Sequence, residues 1–167
     1  MSDDRATALR AQFDRAFADP PRPTAPATDD YLLIRIDGEP HAIALNEIAS
    51  LHADLHVVLV PTHTPELVGV AAVRAALVPV YDLRLALGAS ATTVVRWVVL
   101  VRAATVGFAF DGFDGHARAE RREEQTAAKL VAFGGRAHPL VSLREVLGAI
   151  EARWLTSVDR RVALKEA

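Results

Sequence analysis

The chain has 167 residues, a formal net charge of -2, 51% apolar residues and no cysteine. Disulfides and thiolate metal sites are thereby excluded, and the near-neutral balance lacks the basic excess that nucleic-acid binding requires. The apolar runs fall short of the roughly 18 residues a membrane helix needs, and the start MSDDRATALRAQF is acidic with no apolar core, unlike a secretory signal. The composition fits a globular, cytoplasmic protein.

In the first segment Leu9, Phe13 and Phe17 recur at four-residue spacing, with Arg10, Asp14 and Arg15 on other faces. This predicts an amphipathic helix over residues 4–18, within an N-terminal unit 1–19. It stops at Asp19-Pro20, since proline offers no amide donor and clashes with the preceding turn. A helix this short is marginal alone, so its stripe needs a surface, either on its own domain or on a partner. Residues 20–30 carry four prolines and read as an extended linker.

From Tyr31 the period changes to two. Tyr31 to Asp37, the turn Asp37-Gly38, and Pro40 to Leu45 predict a β-hairpin. Leu51 to Val60, Val68 to Arg74 and Ala76 to Tyr81 continue the strands, with Pro79 marking an edge or bulge position. Asp82 to Leu87 reads as one helical turn ended by Gly88. Strands resume at Val94 to Arg102, Val106 to Phe110 and Phe113 to Ala117. The charged run Arg118 to Lys129 reads as a solvated helix or loop. Leu130 to Val141 forms a final hairpin around Gly134-Gly135. Ser142 and Glu145 are spaced as a capping box before a helix carrying Leu143, Val146, Leu147, Ile150 and Trp154. Residues 154–167 read as a frayed tail.

This pattern predicts an all-β fold with a helix at each end, in a body over 31–153 divided near 31–88 and 89–153.

Catalytic constellations are weak. His52 and His56 share a strand face, and His63 follows in a loop. That trio is the basis of an alternative reading as a small metal-dependent enzyme, without HExxH-type spacing to support it. No serine lies in a GxSxG elbow, and no glycine-rich loop suits phosphate. A non-enzymatic binding module is the reading left by elimination, with no cofactor. Exposed strand edges also allow a self-assembling module.

The segment from Gly69 to Arg84, GVAAVRAALVPVYDLR, is more specific. It resembles the signature of the CheW-like domain family, roughly GVxNLRGxxxPVxDLR, matching at Gly69, Arg74, Pro79, Asp82, Leu83 and Arg84. Leu45-Asn46-Glu47-Ile48 is similar to the family's V-x-E-I stretch, and the resemblance covers about 31–150. It implies two small SH3-like β-barrel subdomains and no enzymatic activity. The implied role is a chemotaxis adaptor between the cytoplasmic tip of methyl-accepting chemoreceptors and the regulatory domain of a CheA-type histidine kinase. The implied location is cytoplasmic, at membrane-associated receptor arrays. By motif position Leu45, Glu47, Ile48, Gly69 and Arg74 would fall in the receptor groove between the barrels. Pro79, Asp82, Leu83 and Arg84 would be structural, and Leu9, Phe13 and Phe17 would form a possible partner helix. Two departures stand out. The glycine after the family's arginine is Ala75 here, and the stretch after Gly115 is short, which opens a variant adaptor that binds only receptor or only kinase.

Overall fold

The computed structural model describes residues 28–90, 96–120 and 129–165. The expected helix over 4–18, most of the proline linker and the centre of the charged run lie outside them.

Eleven strands are described: β1 (Thr28–Ile36), β2 (Glu39–Ala44), β3 (Ile48–Ala53), β4 (Val57–Leu59), β5 (Leu67–Val73), β6 (Ala76–Asp82), β7 (Trp97–Val101), β8 (Gly107–Phe110), β9 (Gly112–Glu120), β10 (Leu130–Phe133) and β11 (Arg136–Val141). A 3-10 turn, Leu45–Glu47, joins β2 to β3, and two helices are α1 (Leu83–Ala86) and α2 (Leu143–Lys165). The strands form a five-stranded sheet in the order β10-β11-β2-β1-β9 and a six-stranded sheet in the order β3-β7-β8-β6-β5-β4. The fold is all-β, as the sequence pattern and the family resemblance implied, with two small SH3-like barrels.

The chain does not divide at residue 88. It builds β1 and β2, crosses to make the whole six-stranded sheet, and returns through β9 to β11 to complete the first sheet. Hydrogen bonding explains this. β1 already pairs β2 on one side, and its other edge is satisfied by β9, from Thr28↔Glu120 to Arg35↔Gly112. A strand left with an open edge would be a template for aggregation. α2 continues to Lys165, into the segment read as a C-terminal tail.

The apolar run Tyr31 to Ile34 within β1 has a physical cause. Leu32, Ile34 and Ile36 enter a core between the sheets, whereas Tyr31 and Leu33, on the opposite face, fill the interior of the first barrel. β7 and β8 alternate likewise: Val99, Val101, Phe108 and Phe110 join the central core, and Val98 and Ala109 line the second barrel. The large side chains sit between the barrels and many of the small ones inside them. At about 1.5–3 kcal/mol per fully buried Phe or Leu, the interface between the barrels is where most of the apolar stabilisation lies.

Pro79 sits opposite Val70 in β5, and the parallel ladder to β8 begins one residue later at Val80. Its missing N–H therefore leaves no gap on that side. At the β5–β6 turn both Arg74 (φ 48) and Ala75 (φ 64) are left-handed. A two-residue hairpin turn of this hand demands positive φ at both positions, which favours glycine. Ala75→Gly is therefore expected to stabilise the protein by about 1 kcal/mol, raising Tm by about 2–4 °C in a thermal melt.

Candidate functional site

The site begins where the chain crosses from one sheet to the other. The turn Leu45–Glu47 is too short to hold itself, and Arg102, from the β7–β8 connection, pins it. The Arg102 guanidinium donates to the carbonyls of Asn46 (2.9 Å) and Ile48 (2.7 Å), and its backbone N–H donates to the Glu47 carbonyl (2.8 Å). The two guanidinium bonds are charge-assisted and stronger than a neutral bond, and with the backbone bond they hold the crossing in place.

Beside the crossing runs a groove of about 670 Å³ whose walls include Tyr31, Ala44, Leu45, Asn46, Arg102 and Leu140. Its rim near the start of β1 is charged. Asp30 accepts from Arg118 Nε at 2.8 Å and lies 3.1 Å from His116 Nε2. Arg118's hydrogen bond, with a further contribution from His116, holds the Asp30 carboxyl below its usual value. The groove therefore offers an apolar floor between an ion-paired rim and a fixed guanidinium, which suits an amphipathic helix better than a small substrate.

The sequence-predicted residues divide between different places. Leu45 forms a groove wall and packs against the central core. Glu47 is half-buried, and its carboxylate accepts from Ser142 Oγ (3.1 Å) and the Arg144 N–H (3.2 Å). It thus caps α2, satisfying a donor that the helix start would otherwise leave open. Ser142 in turn accepts from the Glu145 N–H (3.4 Å), half of the expected capping box, while the Glu145 side chain is drawn to Lys129 (2.6 Å). Ile48 is buried in the central core. Gly69 lies on β5 against the backbone of β4, and Arg74 is exposed at the tip of the β5–β6 hairpin. In hydrogen-bonding order β5 is separated from β3 by β7, β8 and β6, so these two do not share the groove with Leu45.

Asp82, Leu83 and Arg84 form a buried cross-tie. Asp82 caps α1 through the Arg84 N–H (2.9 Å) and binds the Arg84 guanidinium at 2.6 Å. Arg84 also reaches Asp111 at 3.1 Å, and Asp111 accepts the Asp37 N–H at 2.6 Å. Arg84 thereby joins the second barrel to the β1–β2 turn and the β8–β9 link of the first. The Asp82 hydrogen bond outweighs burial and raises the Arg84 pKa. Leu83 is fully buried in the central core.

Sequence reasoning missed Arg102, Leu140 and Asp111. Asp111 falls between two predicted strands with nothing local to mark it, and no local spacing links Arg102 to a crossing more than fifty residues away. The histidines do not converge. His52 Nε2 lies 2.9 Å from Ser50 Oγ, His56 and His63 are exposed, and among the described residues no three His, Asp or Glu side chains are arranged to hold a metal ion.

Two barrels with a groove along their shared crossing define a β-barrel docking module. The model of the CheW-like domain matches residues 30–132, and the chain belongs to that family, whose members are non-enzymatic scaffolds of chemotaxis signalling. Among solved structures the chain is similar to the scaffolding protein TtCheW from Thermoanaerobacter tengcongensis. The TM-score is 0.60 at 12% identity, over 70% of this chain and 90% of that one, a likeness of fold. No curated protein matches in sequence.

Proposed function

We propose that this protein is a non-enzymatic adaptor that couples the cytoplasmic tip of chemoreceptors to the regulatory domain of a CheA-type histidine kinase, on the cytoplasmic side of a membrane-associated receptor array. The observation that carries the reading is the groove at the barrel crossing, with Leu45 and Leu140 in its walls and Arg102 fixed at its side. A receptor helix would lay an apolar stripe along that floor. Arg74 makes no ion pair or hydrogen bond among the described residues, so its planar fork is available to a carboxylate of a partner, on a contact separate from the groove. Coupling is then a matter of binding free energy between two partners held at fixed geometry.

Leu45→Asp tests the groove. It is expected to cost a receptor-tip peptide about 2 kcal/mol, a loss of about thirtyfold in affinity by calorimetry, with the circular dichroism spectrum unchanged. Undiminished affinity would move the receptor site elsewhere. Arg74→Glu, assayed against receptor and kinase separately, shows which partner that arginine serves. Pull-down of only one partner by the unsubstituted protein would favour the single-partner adaptor.

A further inference from the structure

A second recess, of about 370 Å³, is lined by Asn46, Glu47, Val101, Arg102, Ala103 and Arg144. It shares Asn46 and Arg102 with the groove, so these two residues stand between the cavities. Glu47 brings both arginines there. The Arg102 N–H donates to its carbonyl (2.8 Å), and the Arg144 N–H donates to its carboxylate (3.2 Å). Elsewhere in the molecule cations are compensated: Arg35, Arg84, Arg96, Arg118, Lys129 and Arg153 each lie against a carboxylate. Arg102 and Arg144 have no such partner among the described residues. Arg74 and Arg136 also lack one, but each stands singly at a hairpin turn. Arg102 Nε and Nη2 are held by the neutral carbonyls of Asn46 and Ile48, which leaves its charge uncancelled and Nη1 open. The Arg144 guanidinium is exposed and bonds to nothing described. The carboxylate at the recess, Glu47, is turned onto Ser142 and the Arg144 N–H, and Glu145 beside it is taken by Lys129 at 2.6 Å.

We propose that this recess takes an acidic side chain, Glu or Asp, of the same receptor helix whose apolar stripe lies in the groove, and that Arg102 and Arg144 clamp that carboxylate between them. The inference rests on the groove reading above and adds to it the chemistry by which partners are selected. Charge complementarity carries it. Two guanidiniums face one carboxylate that is already engaged, so the recess is positive, and a guanidinium pairs a carboxylate with directional, charge-assisted bonds. The fixed geometry of Arg102 makes the choice sharp. Its Nε and Nη2 are tied to the crossing, so the head cannot swing out to water when a partner covers it. A helix without an acid at that place would strand a cation in the interface, and a helix with one would cancel it. Arg144 has a different part. Its side chain holds nothing in the fold, so its charge is free to serve a partner and to speed encounter with an acidic surface.

Arg144 is the residue to change, because Arg102 also holds the crossing. Arg144→Glu and Arg144→Gln in the full-length protein are titrated by calorimetry with a synthetic receptor-tip peptide, beside Leu45→Asp. An acid in the first turn of a helix is favourable, so Arg144→Glu is expected to keep the circular dichroism spectrum. It should weaken the peptide about tenfold or more, and Arg144→Gln about threefold, with a shallower dependence of affinity on salt. The acidic residues of the peptide are then replaced one at a time by glutamine. One replacement should cost the parent protein about as much as Arg144→Gln does, and cost Arg144→Gln itself almost nothing further. Lysine at that peptide position should restore binding to Arg144→Glu. Unchanged affinity in Arg144→Glu, with a loss in Leu45→Asp, would overturn the clamp and leave the groove reading standing. Unchanged affinity in both would overturn the groove reading and the clamp with it. A loss that couples to no peptide acid would reduce Arg144 to a long-range field. A loss seen with the kinase regulatory domain and not with the receptor peptide would give the recess to the kinase. Either of those last two results also overturns the proposal.

Discussion

Replacing Arg84 by methionine is expected to cost about 3–5 kcal/mol, enough to remove a large part of the stability of an ordinary domain. The side chains of Arg84 and Asp82 are only 3% and 6% exposed, and that of Asp111 is 15% exposed. Methionine fills the volume but leaves two largely desolvated carboxylates without their cation. One of them, Asp82, must still cap α1, and the other, Asp111, must still hold the β1–β2 turn through the Asp37 N–H. The loss therefore falls on the joint between the barrels. Urea denaturation at neutral pH measures it, and Arg84→Met with Asp111→Asn should recover part of the loss, because one uncompensated charge has gone. A cost below about 1 kcal/mol would mean that water reaches the cluster and that the cross-tie is a surface pair.

Gly69→Ala is the second large effect, at about 2–3 kcal/mol. A Cβ there would lie 2.1 Å from the Val58 carbonyl oxygen and 2.8 Å from its carbon. The obstacle is backbone, so no rotamer change relieves it. The cheapest relief is for β4, only three residues long and at the sheet edge, to separate from β5, which uncovers Val57 from the second barrel's core. Hydrogen exchange should therefore show lost protection at Val57 to Leu59 alongside the lower denaturation midpoint. Full protection with unchanged stability would show that the sheet absorbs the methyl group. The result also bears on function, because a binding defect in a Gly69 variant would follow from β4 and not from a lost receptor contact.

The hairpins were legible because their signals are local. Asp37-Gly38 and Gly134-Gly135 adopt the positive φ values that their turns demand, and Asp82 caps the short helix it precedes. The motif reaching from Gly69 to Arg84 was legible as a family resemblance. The roles of its members were not, because they depend on what lies opposite: the Val58 carbonyl for Gly69, and Asp111 for Arg84. Glu47 shows the same limit. In sequence it sits beside Leu45 as a plausible anchor, and in space its carboxylate is taken by Ser142 and Arg144, about ninety-five residues further on.

The sequence by itself determined the strands, most of their turns and the family, because alternation, turn chemistry and a compact motif act within a few residues. The tertiary structure decided how the strands were shared between the barrels, which motif residues were consumed in holding them together, and where the groove opened. Those outcomes depend on ladders such as β1 with β9 and on ion pairs such as Arg84 with Asp111, which join residues distant in the chain. No local spacing encodes them, since each partner is chosen only when the sheets close and every buried charge and strand edge must be satisfied at once.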